Sequence, residues 1–242
     1  MAEVTLYQFP ISHYCEKVRW ALDYKGIEYR AVNLLPGLHV KPIKKLAKRS
    51  SVPVVQHGDN IVQGASAILD YLESTFPEPS LAPEARFMQD AQQWERYADQ
   101  ELGVDVRRYC YHTLLDHPKL SIPLLCSGNR WWTPYFLRAI YPKLNKIMRK
   151  TMQIDEPRTA QSLQQIEAAL VKINQQLEGR QFLAGDQFTR ADLSVAAMLA
   201  PLFMPEKYGV VWPKTMPEPV LSMVLRNAEL LAWAKSIYAD YR

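Results

Sequence analysis

The sequence predicts two units of different class, a small α/β domain followed by an all-α domain. Three observations carry this expectation. Up to Glu73, short apolar runs of strand length alternate with stretches of helical spacing. From Arg86 onward only helical spacing is present. Between them, TFPEPSLAPEAR (residues 75 to 86) holds three prolines and no periodicity, which reads as a linker. The expected domains are residues 1–76 and 86–242, joined by a linker over 77–85.

The elements follow in order. Val4 to Phe9 reads as a short buried strand. A helix comes next, with Val18, Ala21 and Leu22 on its apolar face and Lys17, Arg19 and Asp23 pointing elsewhere. It should stop at Lys25-Gly26, because glycine accepts the left-handed C-terminal position. Tyr29 to Leu34 reads as a second strand, so the first three elements form a right-handed crossover onto a parallel sheet. Lys41 to Arg49 fits a helix. Val52 to Gln56 and Asn60 to Gln63 form a hairpin around His57-Gly58-Asp59. Helical spacing returns over Ser66 to Glu73, with Ile68, Leu69 and Leu72 inward. In the second domain, Thr189-x-x-Asp192 is a capping box, and Phe188 and Leu193 sit where a hydrophobic staple would. The helix behind it, Leu193 to Leu199, is nearly all apolar and reads as the buried core helix.

Composition excludes several classes. The 242 residues are 48% apolar, enough for a substantial core, and no run is long and apolar enough to span a bilayer. The N-terminus MAEVTLYQFP lacks the charge and apolar region of a signal peptide. A net charge of +4 suits an anionic small ligand and, without a reading motif, does not indicate nucleic acid. The cysteines Cys15, Cys110 and Cys126 are odd in number and widely spaced, which points to a reducing cytoplasm rather than a disulfide framework. The five histidines show no metal-ligand spacing, so no metal is expected.

The stretch ISHYCEKVRWALDYKG (residues 11 to 26) carries the chemistry. It places Ser12 and Cys15 three apart between a strand and a helix, where redox proteins place two cysteines. With serine in the attacking position, dithiol exchange is not available. Ser12 is the natural N-cap of the helix.

Taken together, SHYCEKVRWAL, the SVPVV hairpin, the SAILDYLE helix and FLAGDQFTRADLSVAAML resemble the glutathione transferases over nearly the whole chain. The likeness is to bacterial and cyanobacterial serine-type members, with no class assigned. It implies a thioredoxin-like N-terminal domain, an all-α C-terminal domain and a homodimer. The implied activity is detoxification, by transfer of the glutathione thiolate to a small, largely apolar electrophile.

The resemblance makes Ser12 the hydrogen-bond donor to the glutathione sulfur. It makes Val52-Pro53 the cis-proline step whose backbone pairs with the peptide, and places Cys15 beside the ligand. Tyr7 is discounted as the hydroxyl of tyrosine-type members, because their position falls on Gln8 and a one-residue offset flips the strand face. Where the family commonly holds the γ-glutamyl group with an acidic or Gln residue followed by Ser, this chain has Gly64 and Ala65. Gln63 and Ser66 flank them, as though one residue were inserted, and are the candidates to serve instead. His39 or Lys41 is expected to meet the glycyl carboxylate. Lys44, Lys45, Lys48 and Arg49 are expected to be solvated.

From Lys119 to Ile154 there are seven basic residues and no acidic one, interleaved with Trp131, Trp132, Tyr135, Phe136 and Tyr141. Phe136, Ile140, Leu144 and Ile147 share a helical face, although Pro142 should kink or restart that helix. Three readings stay open. The segment is core with a solvated basic side, the lining of an acceptor pocket, or a surface for an anionic membrane; its mid-domain position counts against the last. Arg108 and His112, on a polar helical stripe, complete the candidate electrophile pocket with Trp131 and Tyr135. Two alternatives to conjugation remain: a non-catalytic binding module, and a glutathione-dependent oxidoreductase or lyase using Cys15.

Overall fold

The computed structural model describes residues 3–242. The N-terminal sheet has four strands, β1 (Val4–Gln8), β2 (Tyr29–Asn33), β3 (Val54–His57) and β4 (Asn60–Gln63), in the spatial order β2-β1-β3-β4. β1 runs parallel to β2 through the crossover helix α1 (His13–Tyr24) and antiparallel to β3, which pairs antiparallel with β4. Strand alternation splits the apolar residues between two faces. Val4, Leu6 and Val55 pack under α1 and α3 (Ala65–Thr75), while Val54 and Ile43 of α2 (Val40–Leu46) build the opposite face.

Two boundaries move from their expected places. The ladder of β3 starts at Val54 rather than Val52, since Pro53 has no N–H to donate to it. α2 stops at Leu46, short of Arg49. Val52–Pro53 is cis, as expected, and so are Glu78–Pro79 and Glu218–Pro219.

Residues 76–84 carry neither helix nor strand. A 3₁₀ turn (Ala85–Phe87) then leads into α4 (Met88–Tyr97), a π-helical stretch (Ala98–Leu102) and α5 (Gly103–Leu114). Next come α6 (Pro118–Leu125), α7 (Thr133–Met152), α8 (Glu156–Gln176), α9 (Arg190–Phe203), α10 (Val220–Arg226) and α11 (Ala232–Tyr241). Of the expected kink or restart at Pro142, the restart does not occur, and α7 runs through as one helix. Pro142 lies on the exposed side, where water can meet the carbonyl that proline leaves without a donor. Gly103 is required at its place: a Cβ there would lie 2.5 Å from Met198 Sδ and 3.0 Å from Tyr14 Oη.

α9 is the core helix, buried from Arg190 to Leu202. Its capping box forms as the sequence predicts. The Ala191 N–H donates to Thr189 Oγ1, and Asp192 Oδ2 accepts from the Thr189 N–H at 2.9 Å and from the Thr189 hydroxyl at 3.0 Å. Asp192 Oδ1 also accepts from the Leu183 N–H at 2.8 Å, tying the preceding loop to the helix. Burial pushes the Asp192 carboxyl up to about 6 against these bonds. Asp192→Ala orphans two buried N–H groups and removes a cap. A loss of about 3 kcal/mol is expected by denaturant unfolding, and a loss below about 1 kcal/mol would contradict the role.

The second domain buries the polar side of α1. Glu16 and Lys17 are 0% exposed and Arg19 5%. Glu16 pairs with Arg19 and Arg242, and accepts from the Tyr238 hydroxyl of α11. Lys17 reaches Glu95 and Asp99, each at 2.8 Å. Trp20 donates to the Tyr241 carbonyl at 2.6 Å. Glu16 and Lys17, which point away from the apolar face of α1, therefore meet ion partners on α4, the π-helical stretch and the C-terminus, not water.

Candidate active site

The sheet register brings three segments to one edge. β1 ends at Gln8, β3 begins at Val54 opposite Tyr7, and β4 ends at Gln63 opposite Val54. The loop to α1, the Val52–Pro53 step and the start of α3 therefore meet at the same end of the sheet. Val52 and Phe9 share one apolar cluster there, and the Gly64 N–H donates to the Pro53 carbonyl at 3.0 Å. Both α1 and α3 begin at this edge and aim unpaired N–H groups and positive partial charge into it.

Ser12 caps α1. Its backbone N–H donates to the Phe9 carbonyl at 3.0 Å, and its Oγ accepts from the Cys15 N–H at 3.4 Å, a long bond. Among the described residues the Ser12 hydroxyl has no acceptor for its own proton. The side chain is half-buried. A half-exposed hydroxyl whose proton is uncommitted, at a helix N-terminus, can donate to an anion in the groove.

The start of α3 differs from the expected arrangement. Gly64 occupies the N-cap position at φ 103°, a conformation that suits glycine, and provides no capping side chain. The Gln63 amide is engaged on all sides by the preceding loop. It accepts from the Arg49 N–H at 3.1 Å and donates to the carbonyls of Arg49 at 2.7 Å and Ser51 at 2.8 Å. Gln63 is thus a brace for residues 49–51, and the expectation that it contacts ligand is corrected on that ground. Ser66 donates to Asp99 Oδ2. Asp99 Oδ2 also faces Lys17, whereas Asp99 Oδ1 is buried without a partner. Sequence reasoning missed Asp99. Asp99 carries no pattern of its own in the sequence, since it lies off the polar stripe that holds Arg108 and His112.

His39 packs edge-on to Phe9 with ring centroids 4.8 Å apart, and its Nδ1 accepts from the Gly37 N–H at 3.1 Å. In the neutral ring Nε2 then carries the proton and is the donor left for a ligand. Lys41 is exposed, and Lys44, Lys45, Lys48 and Arg49 line a shallow groove of about 750 Å³ with Gln63. Cys15 is 0% exposed, so its expected place as a ligand contact is corrected: the thiol has no free surface. Burial also pushes the Cys15 thiol up, the reverse of what a nucleophile needs. Tyr7 donates to Gln56 Oε1 at 3.1 Å, along the sheet.

Ile11 and His13, on either side of Ser12, line a small cavity of about 20 Å³, room for about one water. Its walls include His13, Arg107, Tyr111, Leu124, Trp212 and Met216. None of the four residues expected to form the electrophile pocket lines it. Arg108 is bound to Asp105 and Ser162 beside a different surface groove, while Trp131 and Tyr135 are 83% and 69% exposed. His112 is half-buried, with its backbone carbonyl accepting from Arg149. The aromatic residues around position 131 suggested a pocket, but Trp131 lies on the turn before α7 and Tyr135 on the exposed side of α7, whose apolar face turns the other way. Two of the residues that line the small cavity, His13 and Arg107, each carry a buried polar atom without a partner, Nε2 and Nε respectively.

Burial, with Arg107 second, lowers the His13 pKa to about 3. The imidazole is therefore neutral throughout the working range. Because the folded value lies below the unfolded value of about 6.5, the stability this group contributes is complete above pH ~6.5 and falls as pH drops through the window toward 3. The slope approaches about 1.4 kcal/mol per pH unit. Between pH ~7 and ~5, wild type should lose about 2 kcal/mol more than His13→Gln. Equal losses in the two proteins would contradict a buried neutral His13.

The profile described as "Glutathione S-transferase, N-terminal domain" matches residues 6–80, and that described as "Glutathione S-transferase, C-terminal domain" matches residues 156–225. The chain belongs to the glutathione S-transferase superfamily. It is similar to "Glutathione S-transferase 1" of Dianthus caryophyllus, at 42% identity over 34% of this chain and 38% of that one. It is also similar to "Glutathione S-transferase TCHQD" of Arabidopsis thaliana, at 25% identity over 81% of this chain and 76% of that one. The alignment thus spans well under half the length of the first of these relatives.

Among solved structures, the theta-class transferase of Xanthomonas axonopodis pv. citri with glutathione bound superposes with a TM-score of 0.62. That match has 16% identity and covers 98% of this chain and 97% of that one, a likeness of fold. Within this superfamily member, α4 to α7 lie wholly in the stretch between the two profile matches.

Proposed function

We propose that the protein binds reduced glutathione along the sheet edge formed by Ser12, Val52–Pro53 and the start of α3. Ser12 then stabilises the thiolate for transfer to a small, largely apolar electrophile. Residues 1–76 carry the glutathione groove, and residues 86–242 supply the acceptor side. The observation that carries this reading is the Ser12 hydroxyl, half-exposed at the N-cap of α1 with its proton uncommitted. Membership of the superfamily supports glutathione chemistry in the broad sense.

The peptide has complementary partners along the groove. The backbone of Val52 is available to the cysteinyl residue as an added strand. The unpartnered Asp99 Oδ1 is an acceptor for the γ-glutamyl ammonium. Around it, Lys17 and Arg190 face Glu95, Asp99 and Asp70, three carboxylates against two cations, so a bound ammonium completes the balance. His39 and Lys41 are the candidates for the glycyl carboxylate. The acceptor enters beside His13 and Arg107 once the cavity widens. The burial of all three free cysteines fits a reducing compartment such as the cytoplasm.

A second reading, ligand binding without turnover, is favoured by the engagement of Gln63 and Ser66 within the protein. Calorimetric titration with reduced glutathione and with its S-hexyl conjugate tests the proposal. Binding in the micromolar to low-millimolar range, followed by turnover in an electrophile screen, is expected. Binding without turnover of any electrophile would favour the second reading, and no binding of either ligand would overturn both.

A further inference from the structure

We propose that the outer face of α7, with the turn that precedes it, binds the surface of a membrane rich in anionic lipid. α7 is amphipathic. Leu137, Tyr141, Leu144 and Met148 are buried in one cluster with Leu114 and Leu115 at the end of α5 and Ile122, Leu124 and Leu125 of α6. At about 100° per residue, the positions left outside fall within one half of the helix. They carry Arg138, Lys143, Lys146 and Lys150, all exposed, together with Tyr135 at 69% and Ile147 at 52% exposure.

The charge on this face is uncompensated. From Lys119 to Ile154 the chain has seven basic residues and no acidic one. Of these seven, Arg149 alone has a carboxylate partner among the described residues, Asp116 at 2.6 Å. A solvated helix face normally intersperses its cations with acids, and this one does not. At the N-terminal end of the face stand Trp131, 83% exposed, and Trp132, 38% exposed. Large exposed indoles have an unfavourable contact with water and find a favourable one at the headgroup level of a bilayer.

Anionic headgroups complement the cations, and the acyl boundary receives the indoles, Tyr135 and Ile147. A helix of 20 residues, about 30 Å long, suits lying flat on that surface. A nucleic acid would satisfy the lysines but would leave the aromatic cluster without a reading motif to serve. Among the described residues no helix is long and apolar enough to cross a membrane, so the attachment is peripheral and reversible.

Full-length protein is sedimented with phosphatidylcholine vesicles, with and without phosphatidylserine. Binding is expected only with phosphatidylserine and should weaken as salt is raised. The triple variant Lys143→Glu, Lys146→Glu, Lys150→Glu should bind the anionic vesicles about 100-fold more weakly or less, with its melting temperature unchanged. Brominated lipid should quench tryptophan emission in wild type, and less so in Trp131→Phe. Failure to bind anionic vesicles, equal binding to neutral ones, or full retention by the triple variant would each overturn the proposal. So would tight binding of an oligonucleotide, or self-association through this face, by protein that ignores the vesicles. Glutathione binding is measured separately, and its loss or retention leaves this result standing.

Discussion

Ser12→Ala is expected to reduce kcat/KM for glutathione transfer by about 100-fold, the scale seen when one preorganised donor to a developing anion is removed. The reacting species is a thiolate, and an unperturbed thiol ionises near pH ~8.5, so at neutral pH only a few per cent is active without help. The Ser12 hydroxyl sits at the N-terminus of α1, where its hydrogen bond and the helix field both favour negative charge. Alanine removes the bond and leaves the field. It also removes an N-cap, which costs about 1 kcal/mol of stability. Ser12→Asp separates the two roles. Aspartate caps a helix as well as serine does, but at neutral pH it is ionised, cannot donate, and repels the thiolate. Stability near wild type with activity as low as in Ser12→Ala is the expected result for Ser12→Asp. Wild-type turnover in either variant would sink the role assigned to Ser12.

Lys17→Met is expected to lower stability by about 3–5 kcal/mol, or about 10 °C in melting temperature for a chain of this size. Lys17 is wholly buried and holds Glu95 and Asp99 at 2.8 Å each, joining the first helix of one domain to the first long helix of the other. Methionine keeps the volume and removes the charge. Glu95 retains Arg190 at 2.6 Å, but Asp99 is left with the Ser66 hydroxyl. Adding Asp99→Asn should recover part of the loss, because it removes the charge that Lys17 no longer pairs. A loss below about 1 kcal/mol would show that the pair contributes little. Asp99→Asn in the wild-type background should also weaken glutathione binding through its Oδ1.

Much of this architecture is legible in the sequence because it rests on local signals. Strand and helix periodicity, the glycine after α1, the proline at 53 and the Thr189-x-x-Asp192 box each act over a few residues, and each element forms within a few residues of its expected place. The fate of Lys17 is not legible in that way. Helical spacing puts it off the apolar face of α1, but whether it meets water or acids depends on Glu95 and Asp99, 78 and 82 positions away. Gln63 and Ser66 show the same limit. Their position beside the groove can be read, but their hydrogen-bond partners, the backbone of residues 49–51 and Asp99, cannot. The aromatic run at 131–136 misled for a related reason. Its composition suits a pocket, yet the register of α7 leaves Trp131 and Tyr135 outside. The cavity instead uses His13 and Arg107, which carry no pattern of their own.

The most direct test is a pH titration of the thiol of bound glutathione, followed by ultraviolet difference spectroscopy of the thiolate, in wild type and in Ser12→Ala. In wild type the midpoint should lie at least about one unit below the unperturbed ~8.5, and in the variant it should move back toward that value. A common midpoint in the two proteins would contradict thiolate stabilisation by Ser12.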